Sequence, residues 1–137
     1  MAAKILMAAS GGIVLLFGVI HLAYTFWGSA LLPRDPAVMA AMNEVHMGIT
    51  KETTVGRAWI GFNASHSIAL ILFGLVYAFL ALAHGKLLFD SNFLLTVGFA
   101  VLAAVVVLAK LYWFSVPLAG GTLALACYVA AVVAARL

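Results

Sequence analysis

Charge is scarce in this 137-residue chain: four acidic and seven basic side chains make up 8% of it, and there is a single cysteine, Cys127. A soluble domain carries about 25% charged residues. So little charge excludes an ordinary water-soluble globular surface, and a hydrophobic content of 67% excludes a disordered chain. One cysteine excludes a disulfide-stapled secreted scaffold. Asp35, Glu44, Glu52 and Asp90 all fall outside the long apolar runs, which removes the acidic relay that a carboxylate-driven proton or cation transporter needs. The net charge of +3 comes from cations placed one at a time, with no basic stripe or arm, so a nucleic-acid partner is not expected. Single cations near the ends of apolar runs are what anchoring and orientation in a lipid bilayer require.

What the chain does have is apolar runs, four of them: Ile5–Trp27, Ala58–Ala83, Asn92–Trp113 and Val116–Ala135. The first would cover roughly 34 Å as a helix, enough to cross a hydrocarbon core of about 30 Å. It is also longer than the core of a signal peptide and reads as a span. The links His84–Ser91 and Tyr112–Val116 read as short turns, so neighbouring spans run antiparallel. The expected fold is an all-α, integral membrane four-helix bundle, up-down-up-down, forming a single transmembrane domain over residues 1–137. Residues 28–57 are different, because they hold six of the eleven charges. Here Asp35 can cap a helix, Pro36 suits a first helical position, and Val38, Met42, Val45 and Ile49 recur at helical spacing. This predicts a short amphipathic helix over Pro36–Ile49 lying on the membrane, with Thr53 and Thr54 as caps for the second span.

Both termini belong to one face and the long connector to the other. Lys4, Lys86 and Arg136 are on the first face, all close to span ends. Arg34, Lys51, Arg57 and Lys110 are on the second. The protein is thus expected in a cell membrane as a multi-pass chain with cytoplasmic termini.

Polar groups inside spans mark sites, since lipid offers them no partner. His21 lies six residues from Trp27 and His66 seven from Trp59, at the connector ends of two antiparallel spans. Both therefore lie at one depth, roughly 9–11 Å below the same interface. Tyr24 shares a face with His21, Asn63 shares one with His66, and Lys110 approaches the same side on the third span. The terminal half offers only Tyr77, Cys127 and Tyr128, each read as standing alone. Gly61, Gly74, Gly98, Gly120 and Gly121 read as points of close helix approach. A plainer reading applies to each polar residue. A buried imidazole can be a satisfied hydrogen-bonding group, Lys110 can extend to the interface, and Trp27, Trp59, Tyr112 and Trp113 can form an aromatic belt.

The residues leave several roles open. His21 and His66 could ligate haem b from two helices. Met39, Met42 and His46, at i, i+3 and i+7 of the expected surface helix, could bind copper together with the two span histidines and Glu44, since thioethers and imidazoles select Cu(I), although methionine also fills an amphipathic face. His21, Tyr24, Asn63, His66 and Lys110 could hold the head group of a lipid- or quinone-like ligand. A chain with no soluble domain also suits an accessory subunit of a larger membrane complex or a homo-oligomer. No nucleophile–base–acid set is visible, so enzyme activity is left open.

The run Glu52-Thr53-Thr54-Val55-Gly56-Arg57-Ala58-Trp59-Ile60-Gly61-Phe62-Asn63-Ala64-Ser65-His66-Ser67, with His21-Leu22-Ala23-Tyr24 and Tyr112-Trp113-Phe114-Ser115-Val116-Pro117, resembles a family of small bacterial four-span integral membrane proteins of unknown function. The resemblance implies four helices in a bacterial inner membrane and no particular activity, cofactor or site.

Overall fold

In the computed structural model, which describes residues 1–137, the elements in chain order are α1 (Ala2–Phe26), α2 (Pro36–Glu44), β1 (His46–Met47), β2 (Thr50–Thr54), α3 (Val55–Ala83), α4 (Gly85–Asp90), α5 (Asn92–Tyr112) and α6 (Ser115–Arg136). Helices α1, α3, α5 and α6 have 25, 29, 21 and 22 residues and are each long and apolar enough to cross a membrane. The all-α bundle expected from the apolar runs is therefore the observed architecture.

The local chemistry explains where the helices begin. Asp35 caps α2, its carboxylate accepting from the Ala37 amide at 2.8 Å, with Pro36 in the first turn. The Thr54 hydroxyl accepts from the Arg57 amide at 3.4 Å as α3 starts. The Ser91 hydroxyl accepts from the Leu94 amide at 3.2 Å as α5 starts.

Two expectations are corrected. The surface helix stops at Glu44 rather than Ile49, because Val45 turns extended. The following residues form an antiparallel hairpin in which Met47 faces Thr50 and His46 faces Thr54, with a bulge between His46 and Met47. Thr50, Thr53 and Thr54 are β-branched and half-buried, and such side chains favour a pleated strand over a helix. The link His84–Ser91 contains a helix, α4. Leu88 is fully buried on one side of it, while Lys86 and Asp90 pair at 2.7 Å on the exposed side.

The chain divides into two compact units. The first comprises Met1–Phe17 and Leu70–Leu137, so it holds the start of α1, the end of α3, and α4 to α6. Within it α1 and α3 pass backbone to backbone. A Cβ added at Gly74 would lie 2.6 Å from both the Gly11 carbonyl oxygen and the Leu15 amide nitrogen. The same α1 segment ties to α6, where the buried Ser10 hydroxyl donates to the Ala124 carbonyl at 2.7 Å. The Phe17 ring lies against Gly120. Of the glycines expected at close approaches, Gly74, Gly98 and Gly120 are so placed. Gly121 makes an ordinary contact with Val106, and Gly61 has nothing within 4 Å.

The second unit, Gly18–Ala69, holds the end of α1, the connector with α2 and the hairpin, and the start of α3. Asn43 at the end of α2 packs directly on Gly56 at the start of α3, where a Cβ would collide with its side-chain oxygen. The indole Nε1–H of Trp59 donates to the Leu31 carbonyl at 2.9 Å, fixing the connector to α3.

Candidate functional site

The second unit brings His21 and His66 into contact. Their ring centres lie 5.2 Å apart and their planes meet at 80°, edge to face. Both rings are half-buried. Phe62 lies beside His66, its ring nearly parallel with centres 6.5 Å apart, and Phe62 is itself 68% exposed. The Thr25 hydroxyl donates to the His21 carbonyl at 2.8 Å, one turn further along α1.

The polar run around His66 turns inward on its own helix. Asn63, 7% exposed, donates through Nδ2 to the Trp59 carbonyl at 2.8 Å. Ser67, fully buried, donates to the Asn63 carbonyl at 2.8 Å, and Ser65 donates to the Phe62 carbonyl at 2.9 Å. These bonds satisfy hydroxyl and amide groups without a partner helix, so Asn63 shares the neighbourhood of His66 while its donor is used locally. Tyr24 is 51% exposed, and its ring lies at the surface of the unit.

The remaining expected site residues lie elsewhere in the chain. Lys110 is in the last turn of α5, in the first unit, and exposed. Glu44 ends α2. His46 is on β1, where Nδ1 meets the Thr53 carbonyl at 3.2 Å. Because α2 ends before His46, the helical face expected to carry Met39, Met42 and His46 does not form. Met39 and Met42 remain on α2, and a single strand residue replaces the third member. Met42 lines a surface pocket of about 440 Å³ with Leu31, Pro33 and Trp59, a mostly apolar set that includes neither histidine.

The 5.2 Å between ring centres lies within the ordinary range for an edge-to-face pair of rings in contact. No cluster of three or more His, Cys, Asp or Glu side chains surrounds the pair, so two imidazoles are what the chain itself offers an ion there. Neutral imidazoles also carry one donor and one acceptor each, which suits the carbonyl or hydroxyl of a small head group.

A second polar cluster escaped the sequence reading. Tyr77 and Tyr128, expected to stand alone, pack together in the first unit with ring centres 5.9 Å apart. The Tyr77 hydroxyl donates to the Leu94 carbonyl at 2.7 Å and the buried Tyr128 hydroxyl to the Leu95 carbonyl at 2.8 Å. The Tyr77 ring and the Tyr128 hydroxyl lie against Gly98, where a Cβ would clash with each. Cys127 is a free, half-buried thiol. Compared with known proteins, the chain matches no family, no curated protein and no solved structure.

Proposed function

We propose that this multi-pass membrane protein binds the polar head of a lipid- or quinone-like ligand at His21 and His66, acting as a binding module or as the accessory subunit of a larger membrane complex. The observation that carries this reading is the edge-to-face imidazole pair at 5.2 Å, built from two apolar helices. Ionisable side chains are costly in a span and are kept there for a task. A quinone carbonyl or lipid hydroxyl accepts from one imidazole, and Phe62 and Tyr24 provide exposed rings for the apolar part of the ligand. The test is equilibrium binding of a decyl-substituted benzoquinone, followed by tryptophan fluorescence, with mass spectrometry of co-purified lipids. Saturable quenching, or one enriched lipid, lost in both His21→Leu and His66→Leu with the helix content intact, supports the reading. No saturable quenching and no enriched lipid in the wild-type protein removes it.

A second reading, carried by the meeting of two imidazoles from different helices, is a metal-binding module in which His21 and His66 hold one ion such as Cu(I), with the remaining ligands supplied from outside the pair. Stoichiometric copper, zinc or iron in the purified protein, absent from His66→Leu, would replace the first reading with this one. The resemblance to small bacterial four-span proteins and the placing of the termini in the cytoplasm belong to the same proposal. A reporter fused after Arg136 that is active only outside the cytoplasm would reverse that orientation.

A further inference from the structure

A groove of about 380 Å³ runs between α5 and α6 in the first unit. Phe99 on α5 and Val129 and Val133 on α6 line it, together with Thr96. It ends at Asn92 and Arg136, and Arg136 donates through its guanidinium to the Asn92 side-chain oxygen at 2.8 Å. Asn92 is neutral, so this bond positions the guanidinium without cancelling its charge. Asp90 is already engaged by Lys86 at 2.7 Å. From Arg136 to Val129, and from Asn92 to Phe99, the groove walls extend about 10 Å along the two helices. The result is a one-ended surface groove, with a hydrogen-bonded cation at the helix termini and an apolar stretch running from it along α5 and α6.

We propose that this groove holds an anionic phospholipid, with its phosphate on Arg136 and the first part of one acyl chain along Phe99, Val129 and Val133. Charge complementarity selects the occupant. An arginine fork suits a phosphate, and zwitterionic lipids offer the same chain with no net charge to match. The site is separate from the imidazole pair and does not rest on the reading given to it.

Native mass spectrometry of the full chain in mild detergent, supplied with equal amounts of phosphatidylglycerol and phosphatidylcholine, tests the proposal. Phosphatidylglycerol should be retained about fivefold over phosphatidylcholine, the preference that one surface cation supports. Arg136→Gln should abolish the preference and Arg136→Lys should keep most of it. Val129→Phe, which fills the channel, should lower retention of both lipids. Lys4→Gln, an exposed cation at the start of α1 and outside the groove, should leave the preference unchanged. Equal retention of the two lipids by the wild-type protein, or a loss in Lys4→Gln as large as in Arg136→Gln, would overturn the proposal.

Discussion

Replacing Gly74 by alanine should be the most damaging small change in the bundle. The added Cβ falls 2.6 Å from the Gly11 carbonyl oxygen, 2.6 Å from the Leu15 amide nitrogen and 2.7 Å from the Leu15 Cβ. The first two are main-chain atoms, which no rotamer change can move away. To restore an ordinary contact the helices must separate by about 0.8 Å, and a gap of that size forfeits a quarter to a half of each dispersion well along the crossing. Between helices in lipid there is little hydrophobic drive to offset that loss. Overpacking costs about 1–3 kcal/mol, and alanine's better helix propensity returns about 1 kcal/mol, leaving a net loss of up to about 2 kcal/mol, and about 1–3 kcal/mol relative to an alanine placed where nothing is crowded. Reversible unfolding in mixed micelles, with SDS as denaturant and helical circular dichroism as readout, measures it. Gly61→Ala is the control, since nothing lies within 4 Å, and it should be neutral or stabilising. Gly11→Ala combined with Gly74→Ala should cost less than the two single changes added, because both act on one crossing. If Gly74→Ala is as stable as Gly61→Ala, the backbone contact between α1 and α3 is not what holds this part of the bundle.

Other expectations follow from single contacts. Tyr128→Phe removes the hydroxyl bond to the Leu95 carbonyl and should destabilise by about 0.6 kcal/mol, and by no more than about 1.7, in the same unfolding assay. Gly56→Val should expel Asn43 and loosen α2 and the hairpin, seen as faster protease cleavage within residues 36–54, and Asn43→Ala should partly rescue it. Trp59→Phe should free the connector at Leu31 and raise cleavage there without altering the spans. The Asp90 carboxylate raises the Lys86 pKa above its ordinary value. The contribution of that pair is therefore whole at neutral pH and is lost only as the pH climbs through the elevated value. A comparison of wild type with Lys86→Met should show any difference vanish in strong alkali.

The spans were legible because a bilayer imposes one requirement, length with almost no charge, that Ile5–Trp27 and its three successors meet, Lys110 near the end of the third being the one charge they hold. The imidazole pair was legible because depth can be counted from span ends, and His21 and His66 do meet. The same counting would have found Tyr77, Gly98 and Tyr128. They lie six, six and eight residues from Ala83, Asn92 and Arg136, and tyrosines facing a glycine at one depth signal a close crossing. The connector was harder to read. Val45 and Ile49 fit helical spacing and strand propensity equally, and the pairing of His46 with Thr54 is a long-range preference that periodicity does not carry. Lys110 illustrates a different limit: its height along a helix follows from the sequence, but the direction it faces depends on rotation about the axis, which apolar runs leave undetermined.

The buried polar side chains Ser10, Tyr77 and Tyr128 all donate to main-chain carbonyls of other helices, at Ala124, Leu94 and Leu95. A carbonyl belongs to every residue type, so such a tie survives replacement of the recipient. Leu94 or Leu95 can drift to another aliphatic residue while the helices stay fastened. Over long divergence the donors would stay constant while their recipients vary, and methods that look for paired changes between positions would miss the contacts that hold these helices in register.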